Sequence, residues 1–131
     1  MRRPSLDSML LASTDPERLH AWYVAALEPA EDTKVDGYLV LRYGSFHLLI
    51  DRRGDIADTN PDPARVILNF DVEDARTIAH RMDDMGVTWL APLEDRDGSL
   101  FATSVDPDGN LVQIIELSEE HRRAMEQGGE Q

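Results

Sequence analysis

No cysteine occurs among the 131 residues. That excludes a disulfide framework, a zinc–thiolate centre and thiol chemistry of any kind. No apolar run is long enough to span a bilayer. The segment Met1-Arg2-Arg3-Pro4-Ser5 lacks the apolar core of a signal peptide. The expectation is a cytoplasmic protein with no membrane partner. Positive charge is scarce: 13 Lys and Arg stand against 26 Asp and Glu, a formal net charge of −13. Such a field repels nucleic acid and anionic surfaces. The doublet Arg52-Arg53 in the polar middle of the chain is too short to bind nucleic acid. Also missing are a Walker loop, a dinucleotide glycine motif, a zinc pattern and a Ser-His-Asp order. His20, His80 and His121 fall on expected helices at no metal-like spacing. The acidity favours a cationic ligand, and it equally serves solubility or a salty cytoplasm.

What is present suffices for one domain with a real core, since 41% of the chain is hydrophobic. The first strand is expected over 7–13. Asp15 is a good N-cap, Pro16 suits the first helical position and Glu17 complements the dipole. Leu19, Trp22, Tyr23, Ala26 and Leu27 recur at helical spacing, and Pro29 stops the helix. A short strand near 31–35 ends at Asp36-Gly37. Residues 38–43 and 46–51 form a hairpin around Gly44-Ser45. The polar, two-proline segment 52–63 reads as a linker, or as a loop over a binding site.

The second half repeats the plan. A strand over 65–70 leads into a helix capped near Asp71, with Ala75, Ile78, Ala79 and Met82 on one face and Gly86 as its stop. A strand at 87–90, a turn at 94–98 and strands over 100–105 and 110–117 complete it. Asp106-Pro107-Asp108-Gly109 supplies the chemistry of the last turn: Pro107 presets φ, the aspartates cap backbone amides and Gly109 tolerates positive φ. Residues 118–131 read as a charged helical turn running into a disordered Gly-Gly tail. The domain layout is therefore module one at about 6–51, linker 52–63, module two at about 64–117 and tail 118–131.

Strand alternation sorts the faces. Met9, Leu11, Val66, Leu68, Phe70, Val112 and Ile114 should pack under the helices, with Phe46, Leu48 and Ile50 in the core of module one. The opposite faces should carry Ser8, Leu10 and Ala12; His47, Leu49 and Asp51; Arg65, Ile67 and Asn69; and Leu111, Gln113 and Ile115. Trp89 and Phe101 are candidates to stack on a planar ligand, or to serve as core or subunit interface. Arg65 could hold a ligand anion bidentately, or pair with a neighbouring carboxylate such as Asp51 or Glu116. Gln113 and Asn69 could bind a ligand, each other or water. His47 could act as a general base if a carboxylate tuned it.

The β-α-β-β-β order met twice, the Gly44 hairpin and the run Val105–Leu117 together resemble the vicinal oxygen chelate family of glyoxalases, extradiol dioxygenases and bleomycin-resistance proteins. The resemblance covers residues 6–117 in layout. It implies an α+β fold of two βαβββ modules forming a curled mixed sheet with a cup-shaped cavity. Enzymes of the family hold one divalent metal in that cup, with His, Gln and Glu as usual ligands. The matching positions here are Ser8, Leu49 (or Asp51), Arg65 and Gln113. Arginine has no lone pair to offer, leucine is inert, and one neutral carbonyl does not make a site. An off-register set of His47, Asp51 and Gln113 is the remaining option. The expectation is thus no metal and no other cofactor. It is a binding protein of the bleomycin-resistance type that sequesters an aromatic or cationic small molecule. The alternatives are a glyoxalase-like lyase, isomerase or dioxygenase with an unusual or absent metal site, and a protein-interaction role with a vestigial cup. The resemblance also implies a homodimer. The binding set is Ser8, His47, Leu49, Asp51, Arg65, Asn69, Trp89, Phe101 and Gln113.

Overall fold

The computed structural model describes residues 1–128. The expected Gly-Gly tail falls largely on 129–131, outside the described residues. The chain divides into two compact units, Met1–Asn60 and Pro61 onward, each an α+β module with its own four-stranded mixed sheet.

In the first module, β1 (Ser8–Ser13) leads to α1 (Pro16–Ala26), then β2 (Glu31–Val35), β3 (Tyr38–Tyr43) and β4 (Phe46–Arg52). The sheet order is β1-β4-β3-β2, with β1 parallel to β4 and the remaining pairs antiparallel. The start of α1 follows from its local chemistry. The Asp15 carboxylate accepts from the Arg18 amide at 3.3 Å, and Pro16 occupies the first turn, where its missing N–H costs nothing. Leu19, Tyr23 and Ala26 of α1 are fully buried with Leu41, Leu48 and Ile50 of the sheet. The β2–β3 turn puts Asp36 and Gly37 at φ of 50° and 87°, the left-handed pair that a tight hairpin requires.

The second module repeats the order: a 3₁₀ turn (Pro63–Arg65), β5 (Ile67–Asp71), α2 (Ala75–Asp84), β6 (Thr88–Arg96), β7 (Ser99–Val105) and β8 (Leu111–Glu116), followed by α3 (Glu119–Gly128). Its sheet runs β5-β8-β7-β6, with β5 parallel to β8. Ala75, Ala79 and Met82 of α2 are buried with Ala102, Val112 and Ile114.

Several boundaries differ from the sequence expectation. Strand β5 opens at Ile67 rather than 65, because Pro63 starts a 3₁₀ turn that carries Arg65. Val66 therefore sits ahead of the strand and is 52% exposed instead of packing under a helix. The N-cap of α2 is Asp74, not Asp71: its carboxylate accepts from the Thr77 amide at 3.1 Å and the Thr77 hydroxyl at 2.8 Å. Those bonds, the hydroxyl first, hold the Asp74 carboxyl below the ordinary range. Strand β6 runs to Arg96 rather than stopping at 90, with register shifts between Trp89 and Ala91 and between Ala91 and Glu94.

Candidate functional site

Pairing register decides which side chains share a face. In module one, Ser8 stands opposite His47, Leu10 opposite Leu49 and Ala12 opposite Asp51. Leu49 in turn pairs with Val40, and His47 with Arg42. These residues occupy the face away from α1, while Leu48 and Ile50 point into the core. Ser8, His47, Leu49 and Asp51 thus do share one face. Arg42 on the same face is occupied by the Glu31 carboxylate at 3.2 Å and the Gly44 carbonyl at 2.7 Å.

In module two, Asn69 pairs with Gln113, and Gln113 with Thr103. One row of three uncharged hydrogen-bonding side chains therefore crosses β5, β8 and β7. The adjacent row is Asp71, Ile115, Phe101 and Glu94. Both rows lie on the face away from α2, since the alternate residues Val112, Ile114, Ala102 and Ser104 are buried beneath that helix. Asn69 is exposed, Gln113 and Phe101 are half-buried, and Thr103 is nearly covered. The guanidinium of Arg96 stacks over the Phe101 ring, 4.8 Å from its centroid, and is ion-paired with Glu94. Among the described residues, the side chains of Asn69 and Gln113 make no hydrogen bond, to each other or elsewhere.

Two expected members do not join this face. Arg65 lies on the 3₁₀ turn, 78% exposed, with its guanidinium 3.4 Å from Asp62. It does pair with a carboxylate, but neither Asp51 nor Glu116 is the partner. Glu116 instead accepts from the Ala75 amide at 2.9 Å, at the start of α2. Trp89 pairs with Ser104, whose side chain faces α2, and its indole N–H donates to Asp83 of that helix at 2.7 Å. Its ring serves the helix–sheet packing and does not line the opposite face.

Sequence reasoning missed three participants. Thr103 carries a signal that was available, since it alternates with Phe101 along β7. Arg96 and the α3 docking contacts carry none, because they depend on long-range pairing. The Ser99 hydroxyl, fully buried, accepts from the Ser118 amide at 2.8 Å and is hydrogen-bonded to Nδ1 of His121. Arg122 holds Asp71 with two bonds, at 2.9 and 3.2 Å, and Asp71 keeps the guanidinium strongly protonated. Helix α3 is thereby pinned to one end of the sheet. A polar groove of about 510 Å³ lies elsewhere, by the start of α2, lined by Glu73, Asp74, Arg76, Leu100 and Glu116.

The metal implied by the family does not fit the donors present. Of its four positions, Ser8 is a neutral hydroxyl, Arg65 is a cation off the strand, and the second is either inert Leu49 or Asp51, which would be the only carboxylate of the set. The off-register alternative fails on reach, because His47 and Asp51 are four residues apart on one strand, a Cα separation of about 13 Å. Among the described residues, no three His, Cys, Asp or Glu side chains are grouped to hold a metal ion.

Residues 8–115 match the family model of the glyoxalase-like domain. Solved structures share the fold. An integron cassette protein from the mobile metagenome of V. cholerae aligns at 20% identity and a TM-score of 0.68, over 90% of this chain and 98% of its own. TioX from Micromonospora sp. ML1 aligns at 21% identity and a TM-score of 0.63, over 86% and 98%. The fosfomycin resistance protein FosX from Mesorhizobium loti aligns at 15% identity and a TM-score of 0.69, over 93% and 98%. No curated protein matches the sequence.

Proposed function

Because the chain belongs to the glyoxalase-like domain family of the vicinal oxygen chelate superfamily, we propose that it is a small-molecule binding protein that works without a metal, in the manner of the bleomycin-resistance branch. The observation that carries this reading is the Asn69–Gln113–Thr103 row beside Phe101. Uncharged amides and a hydroxyl orient a ligand by hydrogen bonds but supply neither a nucleophile nor a base at neutral pH. An aromatic ring alongside offers a stacking surface. Binding sites of this kind are mostly apolar, with a few convergent polar groups. Absence of a workable donor set at the family's metal positions points the same way. The ligand is a small organic molecule, and the protein acts as a homodimer, for which sedimentation would give twice the 14.8 kDa chain mass.

The test is a thermal-shift screen of planar aromatic compounds on chelator-washed protein. A ligand that binds only the folded state must raise Tm. Hits are then titrated against Gln113→Leu and Arg65→Ala. Gln113→Leu is expected to weaken binding by roughly tenfold or more, with the fold intact by circular dichroism. Arg65→Ala should leave affinity unchanged, as its guanidinium lies off the strands. Affinity indifferent to Gln113→Leu removes the site assignment. Stoichiometric metal retained through the chelator wash would overturn the metal-free reading.

A further inference from the structure

We infer that the face of module two opposite α2 selects an uncharged planar ligand carrying an amide-like donor and acceptor, and discriminates against cations and anions alike. This rests on the binding reading above and deepens it. The charged side chains that the register places on this face are Asp71, Glu94 and Arg96, and α3 adds Arg122 at its end. Each has a partner of opposite sign: Asp71 with Arg122 at 2.9 Å, and Glu94 with Arg96. The charged side chains that the strands place on this face are therefore each paired, with Arg122 of α3 completing the set, although residues 61–131 hold sixteen acidic against six basic side chains.

An ion settling on the Asn69–Gln113–Thr103 row would lose hydration without gaining a counter-charge, unless it broke one of these pairs. An uncharged amide or lactam meets no such cost. Its carbonyl can accept from the amide NH₂ groups of Asn69 and Gln113, and its N–H can donate to their oxygens or to the Thr103 hydroxyl. Asn69 and Gln113 have no hydrogen bond among the described residues to give up first. Adjacent strands lie about 4.8 Å apart, so the three-strand row spans about 10 Å, the length of a small ring system with a substituent. Phe101 stands in the next row, half-buried, with Arg96 over one face of its ring. The net charge of −13 acts at a distance on the encounter rate of a cation, not on these contacts.

The experiment uses one ring in three charge states: nicotinamide (neutral), 1-methylnicotinamide (cation) and nicotinate (anion). Each is titrated at pH 7 into ¹⁵N-labelled full-length protein, and the side-chain amide resonances of Asn69 and Gln113 are followed. Nicotinamide should move both resonances and bind roughly fivefold or more tightly than either ion. Gln113→Leu and, separately, the exposed Asn69→Ala should abolish that preference. Tighter binding of either ion at the same resonances overturns the charge selection and leaves the binding reading standing. Shifts confined to other residues overturn this row as the selecting element. No shift from any of the three, at concentrations into the tens of millimolar, overturns this inference; the binding reading falls with it only if the wider thermal-shift screen also yields no ligand.

Discussion

Asp106 shows how much one side chain can organise. Its residue is only 4% exposed, and its carboxylate accepts from the amides of Asp108 and Asn110, both at 2.9 Å, and from the Asn110 side chain at 3.0 Å. Its backbone amide donates to the Asn110 carbonyl at 2.9 Å, closing the β7–β8 turn, in which Gly109 takes φ of 85°. Removing the carboxylate strands two amide donors in a largely buried turn. Asp106→Ala is therefore expected to cost about 2–4 kcal/mol. That corresponds to a fall in Tm of roughly 6–15 °C by calorimetry. Asp106→Asn keeps one acceptor oxygen and should cost less than half as much; equal losses would mean that charge rather than hydrogen bonding holds the turn. This turn was legible in the sequence because its chemistry is local: Pro107, Gly109 and the two aspartates sit within four residues. Asp62-Pro63 was equally local and would have placed Arg65 on a turn, but the apolar run that follows drew the strand start forward. Trp89 was not legible, because its side is set by pairing to Ser104 and by an Asp83 acceptor on another element.

At the scale of elements, the faces of β1, β4 and β8, and of β5 from Ile67 onward, followed from alternation, since each has one covered side and one free of its helix. Where a strand bulges, alternation stops being a guide, and β6 bulges twice. Helix α3 is the element whose placement depends most on distant groups. It has few apolar side chains to bury, and Met125 is 67% exposed. Its attachment is polar: Ser118 caps it by accepting from the His121 amide at 3.1 Å, Ser99 receives the Ser118 amide, and Arg122 grips Asp71. Ser99→Ala removes the buried acceptor that serves Ser118 and the hydroxyl that meets His121. Hydrogen exchange over 118–128 should then quicken by roughly tenfold or more, with β8 unchanged, because locally anchored segments open independently of the core. Unchanged exchange would assign the docking to the Arg122–Asp71 pair alone, and Arg122→Gln would have to release the helix instead.

At the scale of the whole molecule, the distribution of charge has a measurable consequence. Residues 1–60 hold seven basic and ten acidic side chains, while 61–131 hold six and sixteen. Many of the arginines are already committed: Arg42 to Glu31, Arg52 to Glu17, Arg53 to Asp55, Arg65 to Asp62, Arg96 to Glu94 and Arg122 to Asp71. The acidic surplus thus has little cation left to meet it within the fold. Two salt effects then oppose each other. Screening weakens the exposed ion pairs, which contribute little to stability in any case. Screening also relieves the repulsion among the surplus carboxylates, which compaction brings closer than they stand in the unfolded chain. The Debye length shrinks from about 30 Å at 0.01 M salt to about 3 Å at 1 M. Repulsion acts over the longer distances and is cut first, whereas pairs at 2.6–3.4 Å lie within the screening length until salt is high. Stability should therefore rise with sodium chloride, steeply below about 0.1 M where the Debye length passes 10 Å, and flatten above it. Thermal denaturation across that range decides the balance. A Tm that falls from the lowest salt onward would mean that the ion pairs, not the surplus charge, dominate the electrostatics of folding.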